Sequence, residues 1–316
     1  MADFNLSLRT LPNPEMGCNG TDNEKQLPSV VIFLTTIMAL STSLLGLVGN
    51  GVVFWFLGFC IKRNPFTTYV LNLAIADFGV VTAIVAINTI WLAQLLNYID
   101  DTYNFSMIFF NTLFKFMFST SQFLLSLISI DRCVCVFFPF WHRCHRPPYL
   151  SPTLCALIWI FNFLFSFSDI VLPLTFPYFN SSYYLFLLNI LVCTSLMAIC
   201  TIALLIKICI ISPQYKRGKL LTVILLTLLF FFFFTFPMNA IQYFSDDIPL
   251  LNDPYFNEYA LLGAYINSTV NPLFYFLIGK EKQDRSGEKV KKILVRLFTE
   301  NENDMEEMTT SVQTQL

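Results

Sequence analysis

A chain of 316 residues with 55% hydrophobic and only 13% charged side chains, at a mean hydropathy of +0.62, is too apolar for disorder or for an ordinary soluble domain. Its 35 Phe beside 11 Gly and 15 Pro exclude collagen-like, Pro/Gly-rich and disulfide-scaffold classes. The formal net charge of -2 hides a useful asymmetry, and the apolar mass lies in long runs whose solvent is a bilayer.

Residues 1–29 read as an extracellular tail. Its first 27 residues are polar and hold no apolar stretch of signal-peptide type, so no cleaved signal is expected and the first span inserts itself. Seven apolar runs follow, roughly 30–59, 68–96, 105–138, 150–173, 183–211, 219–244 and 259–278, each reaching the ~20 residues that a spanning helix needs. Period-2 alternation is absent, and helices satisfy their own backbone in hydrocarbon, so the expected fold is an all-α seven-helix membrane bundle over 30–279. Sixteen of the nineteen Lys and Arg fall on one side, with Arg9, Lys25 and Lys115 the exceptions, which puts the N-terminus outside and the C-terminus in the cytoplasm. Under that topology the sequons at Asn5, Asn19, Asn104 and Asn180 all face outward as candidate glycosylation sites. Of nine Cys only Cys18 lies clearly outside, so no disulfide between extracellular loops is expected.

Polar groups inside the spans carry the information, because each needs a partner or a use. In chain order they are Asn50 in the first run, Asp77 in the second, Lys115 in the third, Asp169 near the outer end of the fourth, and Asn267, Ser268 and Asn271 in the seventh. Asp77 with the Asn and Ser groups can hold a cation by oxygen ligands, or form a purely structural hydrogen-bond network. Lys115 and Asp169 are the deepest charges on the outer side and candidate ligand contacts, each the other's first partner. Asp131, Arg132 and Cys133 close the third run at the cytoplasm, where adjacent Asp and Arg otherwise form an ordinary snorkelling pair. Pro237 deletes a hydrogen bond from the sixth run and kinks it, as a hinge or a static bend. His142, Cys144 and His145 match no tetrahedral metal spacing, no Gly-rich phosphate loop or hydrolase elbow occurs, and neither a structural metal nor catalysis is expected.

Gly49-Asn50, Leu73-Ala-x-x-Asp77, Asp131-Arg132-Cys133, Trp159, Pro237 and Asn271-Pro272-x-x-Tyr275 together resemble the rhodopsin-like G-protein-coupled receptors over residues 30–298. Asp-Arg-Cys followed by the Trp141-to-Pro147 segment is similar to the Mas-related receptors in particular. The resemblance implies a plasma-membrane receptor that is not an enzyme. Agonist binding outside swings the sixth helix and frees Arg132 for a heterotrimeric G protein, with Pro237, Asn271, Pro272 and Tyr275 in the switch. It also implies an allosteric sodium ion at Asn50, Asp77, Ser121, Asn267 and Asn271 that favours the resting state, no other cofactor, partners among arrestin and receptor kinases, expression in sensory neurons, and a peptide or small cationic ligand. No nucleic-acid partner is expected.

Departures from the class are equally concrete. Thr235 stands where the class keeps Trp, Met107 where it keeps the third-helix Cys, and Phe114 where amine receptors keep an acid. The start of the sixth run carries Arg217 and Lys219 without an acid, so Asp131 is the partner left to Arg132. The outer loops hold Asp100, Asp101, Asp246, Asp247, Asp253 and Glu258 with no Lys or Arg, which draws cations to the mouth or merely solvates the surface. Residues 280–298 read as a basic amphipathic helix on the inner leaflet, with a calmodulin-type target as its rival, and 299–316 as a disordered cytoplasmic tail open to kinases at Thr309, Thr310, Ser311 and Thr314. An ion-coupled transporter or channel is the alternative from another class, lined by Asp77, Lys115 and Asp169.

Overall fold

In the computed structural model the described residues are 22–61, 63–95, 104–175, 181–207, 225–227, 229–244 and 254–279. Within the described residues each apolar run is helical. Helix α1 is Asp22–Trp55 and ends in a π-helical turn, Phe56–Cys60; α2 is Pro65–Leu95 and α3 Asn104–Phe137. A short helix, Pro139–Cys144, precedes α4, Leu150–Thr175. Helix α5 runs as Ser181–Leu188, a π-helical segment Asn189–Thr194 and Ser195–Ile206, and α6 as the π-helical turn Phe231–Thr235 followed by Phe236–Phe244. Helix α7 is Pro254–Gly279. By length and apolarity five helices qualify to cross a bilayer among the described residues, with Leu225–Ile241 a shorter apolar helix. The seven-helix bundle expected from the runs is the architecture of this chain.

Local chemistry sets the ends. Asn64 and Thr67 cap α2 reciprocally: Thr67 N donates to Asn64 Oδ1 at 2.7 Å and Asn64 N to Thr67 Oγ1 at 2.8 Å, with Pro65 at the first helical position, where its missing N–H costs nothing. Within the spans, Thr82 and Thr89 return their hydroxyls to the carbonyls of Phe78 and Val85, both at 2.7 Å, so single polar groups satisfy themselves in hydrocarbon.

The core has three tiers. An outer apolar cluster includes Val80, Phe114, Phe118, Ile241, Leu261 and Tyr265, and an inner one Val53, Leu73, Leu124, Ile128, Phe231 and Tyr275. Between them, on helices that contribute to both clusters, lie polar residues: Asp77 between Ala74 and Val80, Gln122 between Phe118 and Leu124, Asn239 between Phe231 and Ile241, Asn271 between Tyr265 and Tyr275. A polar layer sealed by hydrocarbon above and below is where hydrogen bonds matter most for which helices pair.

Helices α6 and α7 approach at Gly263, where an added Cβ would stand 2.7 Å from the carbonyl oxygen of Phe234. Only glycine leaves room for that backbone.

Candidate functional site

Asp77 lies fully buried at the centre of the polar layer. Ser121 Oγ donates to its Oδ1 at 2.8 Å and Asn271 Nδ2 to its Oδ2 at 2.7 Å, and the Ser268 side chain is a third polar partner of the carboxylate. Asn50 joins one step removed: its Nδ2 donates to the Ser268 carbonyl at 3.0 Å and to that of Gly46 at 3.1 Å, tying α1 to α7. Asn267, expected among the ligands of this group, is not brought onto the carboxylate; its Oδ1 is buried without a hydrogen-bond partner among the described residues. Ser268 takes that place. Ser268 and Asn271 are three apart on a helix and so share a face, whereas Asn267 is turned about 100° away.

At the C-terminal end of α3, Asp131 and Arg132 are buried and paired, Arg132 Nη2 to Asp131 Oδ2 at 2.6 Å. The Arg132 guanidinium also lies 4.3 Å over the Phe66 ring of α2. The carboxylate has a second cation that sequence reasoning missed: Arg146 Nη1 sits 2.7 Å from Asp131 Oδ1. Arg146 Nη2 donates to Tyr69 Oη at 3.0 Å and to Ser151 Oγ at 2.8 Å, and its other amino group contacts His142 Nε2. Cys133 Sγ, half-buried, donates to the carbonyl of Cys200 at 3.3 Å and so meets α5 rather than a metal. Among the described residues no cluster of His, Cys, Asp and Glu can hold a metal ion.

Two further pairs in the polar layer escaped the sequence. Gln122 and Asn239 clasp α3 to α6 reciprocally, Asn239 Nδ2 donating to Gln122 Oε1 at 2.8 Å and Gln122 Nε2 to Asn239 Oδ1 at 3.4 Å. Ser119 and Asn189 join α3 to α5 at 3.1 Å. The available signal was an amide in an apolar run, which marks a polar group needing a partner without naming it. Interhelical hydrogen bonds in membranes average only ~0.6 kcal/mol, whereas an orphaned buried amide costs about 1–3 kcal/mol. Gln122→Leu or Asn239→Leu should therefore lower the melting temperature of the purified receptor, and the double Leu variant should recover most of the loss. Single variants that melt with the native protein would remove the clasp from the account.

Pro237 sits in the first turn of Phe236–Phe244, directly after the π-helical turn. Thr235 is buried with its hydroxyl lacking a hydrogen-bond partner among the described residues, and Phe231 rather than Thr235 fills the inner core beneath it. Pro272 lies inside α7 and Tyr275 closes the inner cluster. Lys115 is half-buried on α3; the side chain of Asp169, which stands on α4, lies outside the described residues, and with it the expected pairing. The same holds for the side chain of Asn104 at the start of α3 and of Glu258 on α7, for Asn5, Asn19 and Asn180, for Asp100, Asp101, Asp246, Asp247 and Asp253, and for everything after Gly279.

The family model described as 7 transmembrane receptor (rhodopsin family) matches residues 49–275. The chain is 34% identical over 298 residues to the rat Mas-related G-protein coupled receptor member H, covering 89% of each chain. It is 31% identical over 286 residues to the mouse Proto-oncogene Mas, covering 86% of this chain and 85% of that one, and 31% identical over 285 residues to the mouse Mas-related G-protein coupled receptor member A1, covering 84% and 89%. These are receptors, not enzymes, and the class needs no cofactor; the transporter or channel alternative finds no support in them. With the aspartate of the second helix, the Asp-Arg pair closing the third and the Asn-Pro of the seventh in place, the chain belongs to the rhodopsin family of seven-transmembrane receptors, among the Mas-related G-protein-coupled receptors.

Proposed function

We propose that this chain is a plasma-membrane receptor, N-terminus outside and C-terminus in the cytoplasm, that passes the binding of an extracellular basic peptide or small cation to a heterotrimeric G protein through Arg132. The observation that carries the reading is the buried Asp131–Arg132 pair at the inner end of α3. A guanidinium held by its own neighbour and by one aromatic face is a stored contact: it is shielded at rest, and it is available when α6 moves aside. The π-helical turn and Pro237 interrupt the α-helical hydrogen bonding of α6 between the polar layer and the inner cluster, so the inner half pivots with little loss of backbone bonding.

The orientation is supported by the Lys and Arg asymmetry, and the ligand class by the acidic outer loops, with Lys115 and Asp169 as its deepest charged contacts. Asp77 supports a sodium site: three neutral side chains surround it, and a buried carboxylate with neutral partners still requires a proton or a cation. Hydroxyl and amide oxygens from Ser121, Ser268 and Asn271 are suited to a hard ion. The Thr and Ser residues of the tail are the substrates for receptor kinases and then arrestin, residues 280–298 rest on the inner leaflet, and the sequons carry glycans.

Arg132→Ala should reach the cell surface at native levels and lose nucleotide exchange on the G protein, because a truncated residue at a helix end leaves Asp131 still held by Arg146. Exchange at native rates with matched display would overturn the role of Arg132.

A further inference from the structure

We propose that Arg146 is a positioning residue for coupling: as the second counter-ion of Asp131, it is what allows Arg132 to leave. The inference rests on the reading of Arg132 as the group that meets the transducer.

Asp131 divides its two oxygens between two guanidinium groups. Oδ2 takes Arg132 at 2.6 Å and Oδ1 takes Arg146 at 2.7 Å, and all three side chains are at most 6% exposed. A carboxylate at that depth that loses its cation costs far more than one at the surface. If Arg132 were its only cation, each activation would strand a buried negative charge, and the resting pair would be hard to open. Arg146 removes that penalty because it stays behind. It is fastened independently of Arg132, by hydrogen bonds to Tyr69 on α2 and Ser151 on α4.

His142 touches the same group: its Nε2 faces Arg146 Nη1 and lies 3.5 Å from Asp131 Oδ1. At that distance it is a weaker partner of the carboxylate than either guanidinium. Arg146 is the cation that remains when Arg132 departs.

The consequence is a coupling with a definite sign. Removing Arg146 costs little at rest, where Arg132 still covers Asp131, and much in the coupled state, where nothing positive does. The equilibrium then shifts away from coupling by the difference between the two states. Removing the carboxylate as well removes the reason for the shift.

Purified receptor in lipid nanodiscs is titrated with nucleotide-free heterotrimeric G protein, with each class of α subunit in turn, and the dissociation constant is compared across native, Arg146→Gln, Arg146→Lys, Asp131→Asn and the Asp131→Asn/Arg146→Gln double variant, with melting temperature recorded for each. Arg146→Gln should weaken binding by about tenfold or more. Arg146→Lys, which keeps the charge, should restore most of the affinity, and in the Asp131→Asn background Arg146→Gln should make no further difference. Native-like binding by Arg146→Gln overturns the inference. So does an equal loss with and without the Asp131 carboxylate, which assigns Arg146 a purely structural hold on Tyr69 and Ser151. Should Arg146→Gln fail to fold, Arg146→Lys decides the same question against the Asp131→Asn/Arg146→Gln double variant: binding at least as tight as the double variant sustains the inference, and weaker binding overturns it. Native receptor that binds none of the G proteins overturns the coupling function itself, a result separate from the others.

Discussion

Gly263→Val is expected to cost the receptor ~3 kcal/mol or more and to abolish most surface display. The Cβ of any residue there would meet the Phe234 carbonyl oxygen at 2.7 Å and the Phe234 Cα at 3.3 Å, and both belong to backbone that a neighbouring rotamer cannot move aside. Relief would require α6 to retreat at its π-helical turn, opening the seam that holds Phe230 and Phe274, whose rings meet edge to face at 5.0 Å. Gly263→Ala should show the same defect in milder form. Gly79 is the control. An added Cβ there stands as close, 2.6 Å from Met117 Sδ and 2.7 Å from its Cγ, but these belong to an unbranched side chain that a change of rotamer moves, not to backbone, so Gly79→Ala should cost less than Gly263→Ala. Thermal melting of the three purified variants tests the contrast, and equal melting of Gly79→Ala and Gly263→Ala would show that the α6–α7 seam yields as readily as a methionine.

Asp77→Asn is expected to abolish the stabilisation of the purified receptor by sodium. Sodium at about ten times its Kd should raise the stability of the native protein by roughly 1–2 kcal/mol over choline at equal ionic strength, because it binds the folded form alone. The substituted side chain keeps an amide oxygen for the Ser121 hydroxyl and loses the charge that requires a cation. Two signs follow together. In choline the variant should melt above the native receptor, which must then hold a buried carboxylate among neutral partners, and adding sodium should leave the variant unmoved. If sodium lifts both proteins by the same amount, the ion acts elsewhere and the Asp77 group is a structural network.

How far sequence alone could reach differs from tier to tier. The seven runs were legible because a bilayer demands uninterrupted apolar length, and α2, α3 and α4 begin and end within a few residues of the runs that announce them. Helix α1 begins earlier than its run, at Asp22, because polar residues extend a helix without signalling it by hydropathy. Asp77, Ser121 and Asn271 were legible as a group, and the choice between Asn267 and Ser268 was not, since both are polar and only the rotation of α7 separates them. Arg146 was hidden for a different reason. It follows a short helix in a polar connection, where a basic residue reads as one more cytoplasmic charge, and its burial depends on how that connection folds back under α3. Gln122 and Asn239 lie 117 residues apart, and a lone amide in a span has many candidate partners.

The run Phe230 to Phe234 offers no periodicity, and the π-helical turn within it could not be foreseen. Such a turn is an α-helix carrying one surplus residue, so everything on its far side is rotated by about 100° relative to a plain count. Counting back from Pro237 by helical turns therefore assigns the wrong neighbours to Phe231 and beyond. When this receptor is set against relatives whose sixth helix lacks the bulge, the compensating gap belongs inside Phe231–Thr235, not in the loops, and residue equivalences drawn across an ungapped sixth helix will be displaced by one position on the N-terminal side of the turn.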